Sequence, residues 1–410
     1  MTDTTVIAGA GHAAGQTAVS LRQGGFAGRI VIIGDEPYPP YQRPPLSKKF
    51  LAGELPLERL FLRPEQFYAK HEVELQLGTR VSAIHRGQHE VELDDGSRLG
   101  YSKLVIATGS RVRRLEFPGS DLPGVHYLRS IDDVLAMQAH FKPGARLIVM
   151  GAGYIGLEVA AVAVQSGLDV MVREIAARVM ARVVSPEVSA FYDQVHRDAG
   201  VKLILNSPAG STIHGDGRVE SVRDHEGQDW PADFVVIGVG VEPNVELAEQ
   251  AGLACDNGIV VDDCCRTEDA DILAIGDCTS HPNSILGRQL RLESVHNAQE
   301  QAKTAAATIL GKPQAYAQVP WFWSDQYDLK LQIVGLATPD CQRIVRGDPT
   351  QRSFAVLHLL DNRLQAVEAV NSAREFMLGK KLIAAGVPLD PQALADDSRD
   401  FKDIAAAALG

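Results

Sequence analysis

Two glycine turns carry the chemistry most readily read from this sequence. The first, Gly9-Ala10-Gly11-His12-Ala13-Ala14, is a G-x-G-x-x-A after the apolar run Thr5 to Ala8. The second, Gly151-Ala152-Gly153-Tyr154-Ile155-Gly156, is a G-x-G-x-x-G after Arg146 to Met150. In such a turn the first glycine makes the tight bend and the second lets the backbone approach a pyrophosphate. The third small residue lets helix and strand pack closely, with phosphates at the positive helix end. Each turn is followed by a short strand ending in a carboxylate, Asp35 or Glu174. Asp35 lies 26 residues after Gly9 and Glu174 lies 23 after Gly151, near the offset of about 20 at which an acid meets ribose hydroxyls. One such turn is weak evidence for a dinucleotide site, whereas the full pattern twice is strong. The bland alternative is that both acids are ordinary strand-end charges. Glu174 would repel a 2′-phosphate and so favours NADH, but Arg173 beside it is a residue type that accommodates that phosphate, which leaves NADPH open.

The turns need strands and helices to hold them. Helical apolar spacing continues from Gly15 to Arg22, and the runs Lys103 to Gly109 and Asp233 to Gly240 read as strands closing each half. A further run, Asp271 to Asp277, ends in Gly-Asp and precedes a helical stretch from Glu293 to Leu310. A return of that strand to the first fold makes the second an insertion. The expected fold class is α/β, with two Rossmann-like dinucleotide-binding domains, the second inserted in the first, plus a C-terminal α+β domain. The expected boundaries are 1–110 with 243–318, then 111–242, then 319–410. In the last, Leu331 to Val334, Phe354 to Leu360 and Arg363 to Val370 read as strands.

Composition agrees with several packed cores: 410 residues, 45% hydrophobic and 22% charged. A formal net charge of −12 repels polyanions, which argues against nucleic acid or an anionic membrane surface as partner. No apolar run approaches the ~18 residues of a membrane span, and the N-terminus lacks the basic region of a signal peptide, so the expected location is cytoplasmic. The five cysteines (Cys255, Cys264, Cys265, Cys278, Cys341) all fall late and form neither C-x-x-C nor a zinc pattern. Free thiols and no metal are expected, although adjacent Cys264 and Cys265 leave a vicinal disulfide open.

At this point a resemblance is plain. Tyr41-Gln42-Arg43-Pro44-Pro45-Leu46-Ser47-Lys48, Ala107-Thr108-Gly109, Gly153-Tyr154-Ile155-Gly156-Leu157-Glu158, Ile275-Gly276-Asp277-Cys278 and Pro320-Trp321-Phe322-Trp323-Ser324-Asp325-Gln326 make the chain similar to bacterial FAD-containing, NADH-dependent ferredoxin reductases. These serve cytochrome P450 and aromatic-ring dioxygenase systems. The resemblance implies a glutathione-reductase-like architecture with FAD in the first domain and NADH in the inserted one. It assigns Ala13, Asp35, Arg43, Lys48, Val81, Arg129, Asp277 and Val295 to FAD, together with the turn residues Gly9, Gly11 and Ala14 and the stretch Ala107, Thr108 and Gly109. Gly151, Gly153, Tyr154, Ile155, Gly156, Glu174 and Gly240 are assigned to NADH. It also places Lys48, steadied by Glu158, beside the flavin atom that receives hydride. Trp321 is equally well explained as domain packing or as a neighbour of the flavin.

Related enzymes that reduce disulfides or peroxides need an early cysteine, and this chain has Gln42-Arg43-Pro44-Pro45 there. Electrons must then leave for an outside acceptor, and a [2Fe-2S] ferredoxin suits a flavin that releases them singly. Against the negative net charge, docking calls for a local basic patch. Arg288, Arg291, Lys303 and Lys330 are candidates, as is the Arg111, Arg113, Arg114 cluster. The competing activity is an NADH oxidase or quinone reductase without a protein carrier.

Overall fold

The computed structural model describes residues 3–410, and the chain divides into two compact units. The first holds the chain up to Gln42, Leu57–Arg111 and Glu242–Pro320. The second holds Arg43–Pro56, Val112–Val241 and Trp321–Gly410.

The first unit is built on a five-stranded parallel sheet in the order Ile272–Ala274, Lys103–Ile106, Thr4–Ala8, Arg29–Gly34, Val73–Leu77. Alternation within each strand sends side chains to two cores, because successive residues face opposite sides. Ile7, Ile32, Val105 and Leu273 face the helices His12–Gln23 and Val295–Ile309. These helices pack closely through Ala14, Ala18, Ala302 and Ala306. Val6, Val31, Leu104 and Ile272 face the other way, onto a small antiparallel sheet that contributes Val81, Ile84 and Val91. A sheet covered on both faces explains why its strands read as unbroken apolar runs.

The second unit contains the same arrangement again. Its parallel sheet runs Lys202–Ile204, Asp169–Arg173, Arg146–Met150, Phe234–Ile237, Val125–His126. In both sheets the strand entering the glycine turn is central. The last position differs: Ile272–Ala274 fills it from late in the chain, whereas Val125–His126 fills it from before the turn.

A five-stranded antiparallel sheet follows in the order Trp321–Gln326, Leu329–Gly335, Arg363–Val370, Ser353–Leu360, Gln342–Asp348, with the helix Ala373–Ala385 against it. The fold class is as expected. The compact grouping differs from the sequence boundaries, because residues 43–56 and 321–410 join the unit of the inserted fold. Their shared support is the helix Tyr154–Gln165, which touches both the turn Pro44–Ser47 and the strand Trp321–Gln326. The sequence reading also ran three strands too far. Lys103–Ile106, Phe234–Ile237 and Ile272–Ala274 stop short because the glycines beyond them, Gly109, Gly240 and Gly276, take positive φ and turn the chain away.

Candidate active site

The first glycine turn is fixed by sterics. Gly9 has φ +116°, and a Cβ there would lie 2.2 Å from the Ala107 carbonyl oxygen, so only glycine brings this turn so close to the neighbouring strand. Gly11 then caps the helix His12–Gln23 without a side-chain hydrogen bond, and a Cβ on it would meet nothing within 4 Å. The helix N-terminus therefore faces open space, the arrangement that accepts a phosphate. Ala13 and Ala14 are buried under it. Asp35, just past Arg29–Gly34, is exposed, while its neighbour Glu36 accepts the Tyr41 hydroxyl at 2.6 Å.

The other residues assigned to FAD in this unit sit near the strand ends. Thr108 Oγ1 donates to the Asn244 carbonyl at 2.8 Å, and Asn244 returns its side-chain N–H to the Thr108 carbonyl, which stiffens the turn at Gly109. Asp277 accepts from Ser110 Oγ at 2.8 Å. Val295 opens the helix Val295–Ile309, whose Ser294 cap takes the Asn297 N–H; the Val295 N–H still points out of the helix end. Val81 is buried on the small antiparallel sheet. Arg43 and Arg129 belong to the second unit, where Arg43 Nη1 donates to the Arg129 carbonyl at 2.5 Å.

The second glycine turn repeats the first. Gly151 has φ +106° with a would-be Cβ 2.3 Å from the Gly238 carbonyl oxygen, and Gly153 caps Tyr154–Gln165 with open space around it. A Cβ on Gly156 would strike the Gly151 carbonyl oxygen at 2.1 Å. Tyr154 and Ile155 form the first turn of this helix, and Ile155 is exposed. Gly240 turns the chain after Phe234–Ile237 with φ +108°. The Glu174 carboxylate accepts from the backbone N–H groups of Ala152 at 2.6 Å and Ala176 at 2.8 Å, so it is anchored on the turn itself. Arg173 points inward. It is buried, donates to Ser207 Oγ at 2.8 Å and lies 3.5 Å from Asp224. Buried behind the strand, Arg173 is not placed to meet a 2′-phosphate at the turn.

Lys48 and Glu158 meet in the second unit at 2.6 Å. Glu158 is 5% exposed and accepts three side-chain donors: Lys48 Nζ, Ser47 Oγ at 2.5 Å and Ser324 Oγ at 2.6 Å. Ser47 and Ser324 were not among the expected site residues. Strand alternation offers a signal for Ser324, because it places Phe322, Ser324 and Gln326 on the face opposite Trp321 and Trp323. Ser47 had no signal beyond standing next to Lys48. Trp321 stacks obliquely on Trp323 at 5.4 Å and meets Phe376 edge-on at 5.6 Å.

The basic candidates differ in what they have free. Arg291 is paired with Glu293, Lys303 with Glu300, and Arg111 with Glu242 and Glu246. Arg114 lies over the Tyr127 ring. Arg288 and Lys330 are exposed. All five cysteines are free, so no vicinal disulfide joins Cys264 and Cys265. Among the described residues, no helix is long and apolar enough to cross a membrane.

Both cradles fit a dinucleotide: a strained first glycine, an uncapped helix end over open space, and a carboxylate at the next strand end. Comparison with known proteins agrees. Residues 3–302 match the family described as pyridine nucleotide-disulphide oxidoreductase, and residues 321–405 match the family described as reductase C-terminal. The chain is similar to rhodocoxin reductase of Rhodococcus erythropolis, 44% identical over 97% of this chain and 93% of that protein. It is 45% identical to the ferredoxin–NAD(+) reductase component of an anthranilate 1,2-dioxygenase system from Burkholderia cepacia, over 98% of each. Among solved structures, the covalent putidaredoxin reductase–putidaredoxin complex contains a chain that superposes with a TM-score of 0.96 at 41% identity, covering 100% of this chain and 99% of that one.

Proposed function

This chain belongs to the pyridine nucleotide-disulphide oxidoreductase family as one of its ferredoxin reductases, and on that premise we propose that it takes hydride from NADH onto FAD and passes the electrons singly to a [2Fe-2S] ferredoxin feeding an oxygenase, either a cytochrome P450 or a ring-hydroxylating dioxygenase. The observation that carries this is the pair of dinucleotide cradles in one chain whose cysteines are all free and all lie beyond residue 250. The family name refers to disulfides, yet no thiol pair is available to take electrons here, so they leave the protein. The thiols suit the reducing cytoplasm.

Bound flavin supplies the conversion of a two-electron donor to one-electron delivery. The chain supplies position and charge. The Gly9–Ala14 turn and the helix behind it hold the FAD pyrophosphate, Asp35 the adenosine ribose, and Asp277 the ribityl hydroxyls. Arg43, Val81, Ala107, Arg129 and Val295 complete the FAD set. Gly151, Gly153 and Gly156 hold the NADH pyrophosphate, and Glu174 holds its adenosine ribose. Lys48, held in place by Glu158, would stabilise the negative charge that a bound flavin gains with hydride. NADH is preferred to NADPH because Glu174 repels a 2′-phosphate while Arg173 is turned away and neutralised.

Stopped-flow absorbance tests the reading. NADH bleaches the bound flavin, and reduced ferredoxin-free enzyme is reoxidised by a [2Fe-2S] ferredoxin much faster than by oxygen or quinone. Reoxidation by oxygen or quinone at the faster rate would move the protein to the oxidase or quinone reductase class.

A further inference from the structure

Glu158 is the end of a longer buried chain. Ser324 Oγ, which donates to Glu158 Oε1 at 2.6 Å, accepts from Gln326 Nε2 at 3.1 Å. Gln326 Oε1 lies 2.8 Å from His196 Nε2, and His196 Nδ1 lies 2.9 Å from the Tyr327 hydroxyl. Ser324, Gln326 and His196 are each no more than 1% exposed. They come from the edge strand Trp321–Gln326 and the last turn of the helix Pro186–Asp198, far apart in sequence.

The direction of every bond follows from Glu158. An ionised carboxylate only accepts, so Ser324 must spend its one proton there. Its oxygen can then only accept from Gln326, which requires the amide nitrogen to face Ser324 and the amide oxygen to face His196. His196 is thereby the Nε2-protonated tautomer, and its Nδ1 accepts from the Tyr327 hydroxyl. All four protons point toward Glu158. Burial holds His196 below its ordinary pKa, which keeps the neutral tautomer this order needs. Hydrogen bonds aligned head to tail polarise one another, by roughly 10–30% per bond. Three polar side chains in a dry interior, Ser324, Gln326 and His196, are costly unless every one is satisfied, and the half-buried Tyr327 hydroxyl completes the satisfaction of His196.

We propose that Ser324, Gln326, His196 and Tyr327 are positioning residues that fix the orientation of Glu158 and, through it, the place of the Lys48 ammonium. This rests on the reading of Lys48 and Glu158 as the pair at the hydride-accepting edge. Gln326 is an amide in the middle of the chain, so its part is to orient and polarise rather than to carry protons.

The test compares parent, Ser324→Ala, Ser324→Thr, Gln326→Leu, Tyr327→Phe and Lys48→Met. The measurements are the NADH-driven flavin reduction rate, the apparent NADH affinity, the flavin potential from coenzyme-free titration and the melting temperature. Ser324→Ala should slow reduction about tenfold, the effect of about 1.4 kcal/mol, and lower the flavin potential, with NADH affinity within twofold. Gln326→Leu should do the same more weakly, Tyr327→Phe least, and Ser324→Thr should restore the parent values. Rates and potential within twofold of the parent in both Ser324→Ala and Gln326→Leu, with Lys48→Met slow, would overturn the positioning chain alone. Failure of Ser324→Thr to rescue would also overturn it. A Lys48→Met variant as fast as the parent would instead remove the reading on which the chain rests.

Discussion

Residue by residue, the site is decided by which charges are free and which are spent. Arg173 ends its strand and Glu174 follows directly, yet alternation along the extended chain sends Arg173 inward to Ser207 and Asp224 and leaves Glu174 on the glycine turn. Glu174→Ala should therefore raise the NADH KM about tenfold and narrow the preference over NADPH, since a hydrogen bond to a charged group contributes about 1.5–3 kcal/mol. Steady-state kinetics with both coenzymes check this. An unchanged ratio would mean that selection lies elsewhere. Lys303 and Arg291, read from sequence as docking cations, are already paired with Glu300 and Glu293. Lys330 is exposed and keeps more of its charge for a partner. Lys330→Glu should raise the ferredoxin KM more than Lys303→Glu does, and both should leave NADH-to-ferricyanide turnover unchanged.

At the level of elements, each glycine turn does two separable jobs. Gly9 lets the turn pass the neighbouring strand, and Gly11 leaves the helix end bare. Gly9→Ala forces a Cβ into the Ala107 carbonyl at a φ that L-residues avoid, and should destabilise the protein by several kcal/mol, seen as a large drop in melting temperature. Gly153→Ala, at φ −78° with open space around it, should leave the melting temperature nearly unchanged and weaken NADH binding, because the new methyl occupies the phosphate position. Equal loss of stability in both variants would contradict the division of labour. The turns, their helices and the following strands were legible in the sequence because they rest on local rules: glycine conformation, helical spacing and apolar runs. The edge strand Trp321–Gln326 was legible only as a motif. Its pairing with Leu329–Gly335 depends on contacts that alternation alone does not fix.

For the whole molecule, a buried histidine is one group whose protonation should cost stability in acid. His281 is 1% exposed, neither ring nitrogen has a hydrogen-bond partner among the described residues, and its ring meets Tyr316 edge-on at 5.0 Å. Burial lowers its pKa from 6.5 to about 4. The unfolded chain thus binds this proton near pH 6.5 and the folded chain only near 4, so stability is full above pH 6.5 and falls as pH drops toward 4. At about 1.36 kcal/mol per unit, the loss attributable to His281 approaches ~3 kcal/mol. His281→Phe keeps the ring contact and sacrifices no hydrogen bond, so it should match the parent at pH 7.5 and flatten the melting-temperature profile between pH 6.5 and 4. His126, also lowered to about 4 by burial and the neighbouring His140, leaves a remaining slope. A profile identical to the parent would exclude His281 as a source of this loss.

The sequence by itself determined the two dinucleotide folds, the order of their parts and the lack of an early thiol, because each follows from residue types at short, fixed spacings. Tertiary structure decided what depends on partners distant in the chain. It buried Arg173 and paired Arg291 and Lys303, two of the candidate docking cations, with acids of their own. It also brought Ser47, Lys48 and Ser324 onto one carboxylate and extended that cluster to His196. Burial and pairing are set by which elements pack together, and a hydrogen-bonded polar side chain in the interior looks, in one sequence, like any surface residue of its type.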